Sequence, residues 1–182
     1  MSIGRTVRNA LFVLIACAGL GLGTLSGASA ADDGPAAFYG RFQGAGITQD
    51  PNTVYFGFDE RAVDVEIGAD GAGFFVEWTT VIRDYRDSEP RRRTARVSFD
   101  PTERPGLYLE RGAASGLAEG VSWASIQGSS LTVRVLAILD DGSYRLQTYE
   151  RSLTEDGMFL FFRSDQDGGT VRFVTARLKK VQ

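Results

Sequence analysis

The run "LTVRVLAILDDGSYRLQTYERSLTEDGMFLFFRSDQDGGTVRFVTARL", residues 131–178, decides the fold class. Apolar and aromatic residues recur at alternate positions in four stretches, 131–139, 143–151, 157–164 and 170–178. The breaks between them hold Asp141-Gly142, Asp156-Gly157 and Asp167-Gly168-Gly169. Period two marks a strand with one buried face. Asp-Gly supplies the positive φ that a tight hairpin turn requires. Four strands joined by such turns make an antiparallel meander.

The same device stands upstream in "RAVDVEIGADGAGFFVEWTTVIRD", residues 61–84. Val63, Val65 and Ile67 alternate with Asp64 and Glu66, Asp70-Gly71 makes a turn, and Phe74, Val76, Trp78, Thr80 and Ile82 then share one face. Further strands are expected near 94–100, 107–111 and 121–127, with a short one at 54–58. The segment 101–106, rich in proline, divides two of them, and 112–120 has room for one helical turn. No stretch carries a sustained helical stripe, so the chain is expected to be all-β.

About ten short strands in one domain, residues 38–182, fit a single up-and-down β-barrel of 8–10 strands, with a β-sandwich as the alternative. The meander favours the barrel, because closure removes the free edges that successive hairpins leave. A membrane-spanning barrel is disfavoured by Asp64, Glu66, Glu77, Arg134 and Arg145, which interrupt any lipid-facing band.

Residues 1–30 read as an export signal: Arg5 and Arg8, an apolar run from Ala10, then Ala28-Ser29-Ala30 ahead of Ala31-Asp32-Asp33. A cut after Ala30 gives an exported, periplasmic protein with a flexible lead-in over 31–37. The alternative is a lipoprotein, since Leu14-Ile15-Ala16-Cys17 has the form of a lipobox and would place a lipid anchor on Cys17. On the first reading the mature chain has no cysteine and no disulfide. The leader holds two of the twenty basic residues and none of the twenty-three acidic ones, leaving a net charge of −5. That charge argues against a nucleic-acid partner.

The chain has no histidine. This removes the usual neutral-pH general base, the His-dependent triads and imidazole ligation of a metal. Lys179 and Lys180, at the end of the last strand, are not expected to be buried enough to act as bases. Paired carboxylates remain for glycoside hydrolysis, but most Asp and Glu fall in turns or on polar strand faces, where solvated surface is the expected role. Asp165-Gln166-Asp167-Gly168-Gly169 is a fragment of a calcium loop without its distal glutamate, so a hairpin turn is expected there. No enzyme activity, cofactor or metal is expected.

Trp78, Trp123, Tyr149, Met158, Leu160 and Phe162 are the candidate interior residues. Phe74-Phe75 and 159–162 are apolar on both faces, which allows a cavity, a partner interface or a second packed layer. Arg83, Arg86, Arg91, Arg92, Arg93 and Arg96, interleaved with Asp84, Asp87 and Glu89, form the densest charge feature. They read as a hairpin loop near the barrel mouth, either simply solvated or serving as an anion-binding lip. The candidate ligand-binding set is Trp78, Trp123, Tyr149, Phe162, Arg83, Arg93 and Arg96.

Gly40-Arg41-Phe42, at the start of the first strand, resembles the Gly-x-Trp opening of lipocalins and the wider calycin superfamily, with Phe42 in place of tryptophan. The resemblance implies that a late arginine, Arg172 or Arg177, packs over that ring. Residues 121–162 also resemble uncharacterised exported bacterial proteins of lipocalin-like type. Haem binding, which nitrobindin-like calycins perform through a histidine, does not carry over. The expected function is non-enzymatic binding of a lipid or another small apolar or amphipathic ligand. The alternative is a structural or interaction protein of the cell envelope with a filled barrel. A membrane tether is expected only through Cys17, and oligomeric state stays open.

Overall fold

In the computed structural model the described residues are 34–49, 59–82, 90–112 and 120–181. The export signal, Cys17 and the short strand at 54–58 lie outside them. So do Arg83 and Arg86, and most of the segment expected to hold a helical turn.

Ten strands follow a 3-10 helix, Gly34–Phe38, which occupies the second half of the expected lead-in. They are β1 (Gly40–Gln49), β2 (Asp59–Asp70), β3 (Gly73–Ile82), β4 (Arg91–Pro101), β5 (Leu107–Glu110), β6 (Val121–Gln127), β7 (Ser130–Ile138), β8 (Tyr144–Thr154), β9 (Gly157–Gln166) and β10 (Gly169–Val181). Each pairs antiparallel with the next, and β10 pairs with β1, so the sheet closes on itself as an up-and-down barrel rather than a sandwich. The expected turns are where the Asp-Gly pairs stand, with Gly71, Gly142 and Gly168 at positive φ. Asp167 also adopts φ 47, the left-handed conformation that aspartate tolerates. Gly157 is not at positive φ and instead opens β9, where a Cβ would lie 2.0 Å from the Leu178 carbonyl oxygen.

Closure depends on β1. Its register runs from Arg41 opposite Val181 to Gln49 opposite Phe173 on one side, and from Gly40 opposite Ile67 to Thr48 opposite Asp59 on the other. Midway, a Cβ added to Gly44 would lie 2.1 Å from the Arg177 carbonyl oxygen, so only glycine lets the seam strands approach this closely. Phe42 points inward and is 1% exposed. The cation above its ring is neither Arg172 nor Arg177 but Lys180, whose Nζ lies 5.7 Å from the ring centroid. Register explains the substitution. Lys180 is the direct partner of Phe42, whereas Arg177 is opposite Ala45 and exposed, and Arg172 lies beyond Phe173, the partner of Gln49.

One end of the barrel is solid. Phe38 from the 3-10 helix, Phe42, Ile67, Phe74, Phe99, Leu131, Met158 and Leu178 are all at most 2% exposed. Phe74 contacts Phe99 at 5.3 Å between centroids and meets the Tyr108 ring edge-on at 5.0 Å. Arg111 braces this region from outside. Its guanidinium bonds both Asp100 oxygens and the Asp70 carbonyl, tying the β2–β3 turn to β4. A hydrogen bond from Ser98 and then Arg111 hold the Asp70 carboxyl below its ordinary range, and Arg111 does the same for Asp100.

Candidate functional site

The opposite half of the barrel is hollow. A cavity of about 700 Å³ opens there, within the range of small-molecule sites. Strand alternation determines which residues face it. Val63 and Val65 come from β2, Trp78 and Thr80 from β3, Arg93 and Ala95 from β4, Gln147, Tyr149 and Arg151 from β8, Leu160 and Phe162 from β9, and Arg172 and Val174 from β10. β4 pairs with β3 from Phe99 to Arg91 but meets β5 only at Phe99, Asp100 and Pro101.

An aromatic ladder runs along one wall. Trp78 and Tyr149 lie 5.2 Å apart between ring centroids, and Tyr149 and Phe162 lie 4.7 Å apart. Tyr149 and Phe162 are direct partners across β8 and β9, and cross-strand aromatic pairs of this kind stabilise a sheet face. Burial pushes the Tyr149 hydroxyl above its ordinary value, so it stays neutral at physiological pH.

Arg151 stands two residues beyond Tyr149 on the same face of β8. It is 1% exposed, the largest fully buried side chain among the described residues. Its neighbours in register are Leu131 and Leu160. The guanidinium carbon lies 5.5 Å from the Tyr149 ring centroid and 5.8 Å from that of Trp78. Nε and Nη1 have no hydrogen-bond partner. Burial pushes the guanidinium down to about 10, which still leaves it charged at neutral pH.

The candidates named from sequence divide as follows. Trp78, Tyr149, Phe162 and Arg93 come together on the cavity wall. Trp123 does not. In β6 the buried positions are Ser122, Ala124 and Ile126, which turns Trp123 to the outer face opposite Leu109 and Arg134. Small residues took the inner positions of that strand and the indole took the outer. Arg96 is also outside, with its guanidinium 3.7 Å above the Phe75 ring centroid and 3.7 Å from Glu77. Arg83 lies outside the described residues. Arg91, Arg92, Arg93 and Arg96 belong to a strand and not to a hairpin loop, so alternation sends Arg93 inward and Arg96 outward. Arg151, Gln147 and Arg172 were missed as wall residues. For Arg151 a signal was present, because Tyr149 inward requires Arg151 inward two residues later.

Among the described residues the cavity wall carries four arginines, Arg92, Arg93, Arg151 and Arg172, and no acidic residue. Among the same residues the nearby carboxylates Asp64, Glu66 and Glu77 are on the outer wall. There Asp64 accepts hydrogen bonds from Arg41 Nε at 3.1 Å and Gln43 Nε2 at 3.1 Å, and Arg41 holds its carboxyl below the ordinary range. Glu66 and Glu77 pair across β2 and β3 in the same shallow outer groove, interleaved with Arg41 and Arg92. Among the described residues no group of His, Cys, Asp and Glu is arranged to hold a metal ion. The calcium-like fragment is the β9–β10 turn, where Asp165 accepts a hydrogen bond from the Thr170 hydroxyl and pairs with Arg163.

No family model matches the chain, and no curated protein matches it. The closed ten-stranded antiparallel barrel is consistent with the lipocalin-like architecture that Gly40-Arg41-Phe42 resembles.

Proposed function

We propose that this protein is a non-enzymatic, calycin-like carrier that holds one small amphipathic molecule in its barrel and works after export to the periplasm. The observation that carries the reading is the 700 Å³ cavity with the aromatic ladder Trp78, Tyr149 and Phe162 on its wall. An apolar body packed on those rings leaves water, and burial of that kind drives binding in sites of this size. The chemistry of the lining favours a carrier over a catalyst. Thr80, Thr94 and Tyr149 are its hydroxyls, the chain has no histidine, and among the described residues no carboxylate stands on the wall to act as a base.

The test uses N-phenyl-1-naphthylamine, a neutral apolar fluorophore, with the Trp123→Phe variant so that Trp78 is the sole tryptophan. Saturable enhancement at one probe per chain, with energy transfer from Trp78, is expected. Ala95→Trp, which places an indole in the cavity directly opposite Trp78, is expected to weaken both signals. Absence of saturable binding, or equal binding by the Ala95→Trp variant, overturns the carrier reading. The export reading is checked separately by mass spectrometry of the mature N-terminus. Ala31 supports soluble export, and a lipid-modified Cys17 supports an anchored form.

A further inference from the structure

Resting on the carrier reading, we infer that the ligand is an anionic amphiphile, a carboxylate, that enters head first and is anchored on the buried guanidinium of Arg151. Three observations converge on this residue.

The first is an unmet need. Arginine is almost never fully buried without a partner, because removing its charge from water is costly. Arg151 is buried to 1% exposure, Nε and Nη1 make no hydrogen bond, and no ion pair reaches it among the described residues. Its flanking partners Leu131 and Leu160 offer no acceptor side chain, and the Trp78 and Tyr149 rings give it only weak cation–π support at 5.8 and 5.5 Å. A carboxylate presents two oxygens that match the guanidinium fork.

The second is the sign of the cavity. All four charged residues on its wall among the described residues are arginines, although the protein as a whole is acidic. A concave site lined by one sign of charge attracts the opposite ion.

The third is depth. Along β8, Arg151 lies four residues below Gln147, about 13 Å towards the filled end. Arg93 and Arg172 are exposed, so water screens them, whereas Arg151 meets its ligand in a dry environment where a charge-assisted hydrogen bond is stronger. The mouth arginines attract the anion and Arg151 retains it. The rings of Trp78, Tyr149 and Phe162 then contact the apolar part nearest the head.

The inference is tested by displacing N-phenyl-1-naphthylamine with decanoate and with decanol, which share an apolar chain and differ in the head. Wild type is expected to prefer decanoate by about tenfold or more. Arg151→Met is expected to lose that preference while still binding decanol, and the Arg93→Gln/Arg172→Gln double variant is expected to keep it. A second measurement leaves Arg151 intact. In the Trp123→Phe background, 2-bromodecanoate is expected to quench Trp78 more strongly than 10-bromodecanoate. Equal affinity of wild type for acid and alcohol overturns the inference and leaves the carrier reading standing. Loss of the preference in the mouth variant but not in Arg151→Met, or stronger quenching by the 10-bromo acid, also overturns it. If neither the neutral fluorophore nor decanol binds, the carrier reading fails and this inference falls with it.

Discussion

The two halves of the barrel are made by the same strands with the same alternation, yet one is solid and the other hollow. At the solid end the inward positions are Phe38, Phe42, Phe74, Phe99, Leu131 and Met158. At the hollow end they include Val63, Thr80, Ala95, Gln147 and Val174. Period two alone does not distinguish these sets. Side-chain volume does, because small inward residues leave unfilled space where strands are spread on a cylinder of fixed width. The halves also differ in what they tolerate. The solid end is an apolar core, and the hollow end accommodates a buried cation with two nitrogens free of hydrogen bonds.

The contrast can be broken by substitution. Phe74→Ala is expected to show the largest effect, a loss of about 3–5 kcal/mol in urea unfolding, since Phe74 is fully buried and packs on Phe99 and Tyr108. Trp78→Ala, beside space that already exists, is expected to lose less than half as much, and equal losses would erase the distinction between the halves. Arg151→Met has the opposite sign. Replacing the unpartnered cation with an apolar side chain is expected to raise apo-protein stability by about 1–4 kcal/mol. That gain is full below pH 10. The native state sheds the Arg151 proton at about 10, before the unfolded chain does, so wild type recovers relative to the variant as pH rises above 10. Urea titrations of both proteins between neutral and alkaline pH check the sign. Loss of stability in the variant would mean that the arginine is a structural member of the wall.

Gly44→Ala is expected to cost about 1–3 kcal/mol through the collision with the Arg177 carbonyl, a backbone atom that cannot rotate away. Its effect falls on the seam, and calorimetry should show a lowered Tm with little change in the affinity of the cavity. Asp64→Asn is expected to have the smallest effect. Asp64 is held by Arg41 below its ordinary value of 3.8, so its contribution is present above that value and is lost as pH falls below it. The variant should show a flatter acid limb in pH-dependent melting and little change at neutral pH, since the pair is exposed and screened by salt.

Much of the architecture was legible because turns and alternation are local. Asp70-Gly71, Asp141-Gly142 and Asp167-Gly168 each sit at a hairpin, and the strands on either side follow within a few residues. β4 was read as starting at residue 94, with the arginines before it in a loop, because charge was taken as a sign of solvent. A strand on the wall of an open cavity can carry charge on both faces, as Arg92 and Arg93 do. Trp123 was placed inside by its size, whereas Ser122 and Ala124 hold the inner positions. Arg151 is not among the interior candidates that the sequence offers, since arginine ordinarily stays in water. The rule is sound for stability, and its violation marks the position where the proposed ligand completes the structure. The cavity depends on strands distant in sequence, which no local pattern reports.

The pairing of Phe42 with Lys180 also bears on how the chain reaches its native state. The two residues are about 140 positions apart, so the contact that closes the barrel carries a high loop entropy and slows folding. Until β10 arrives, β1 has its β2 neighbour but an open edge on the other side, and a chain at that stage can still be drawn out and threaded. Closure therefore requires β10, and the sheet keeps that open edge until β10 pairs with β1.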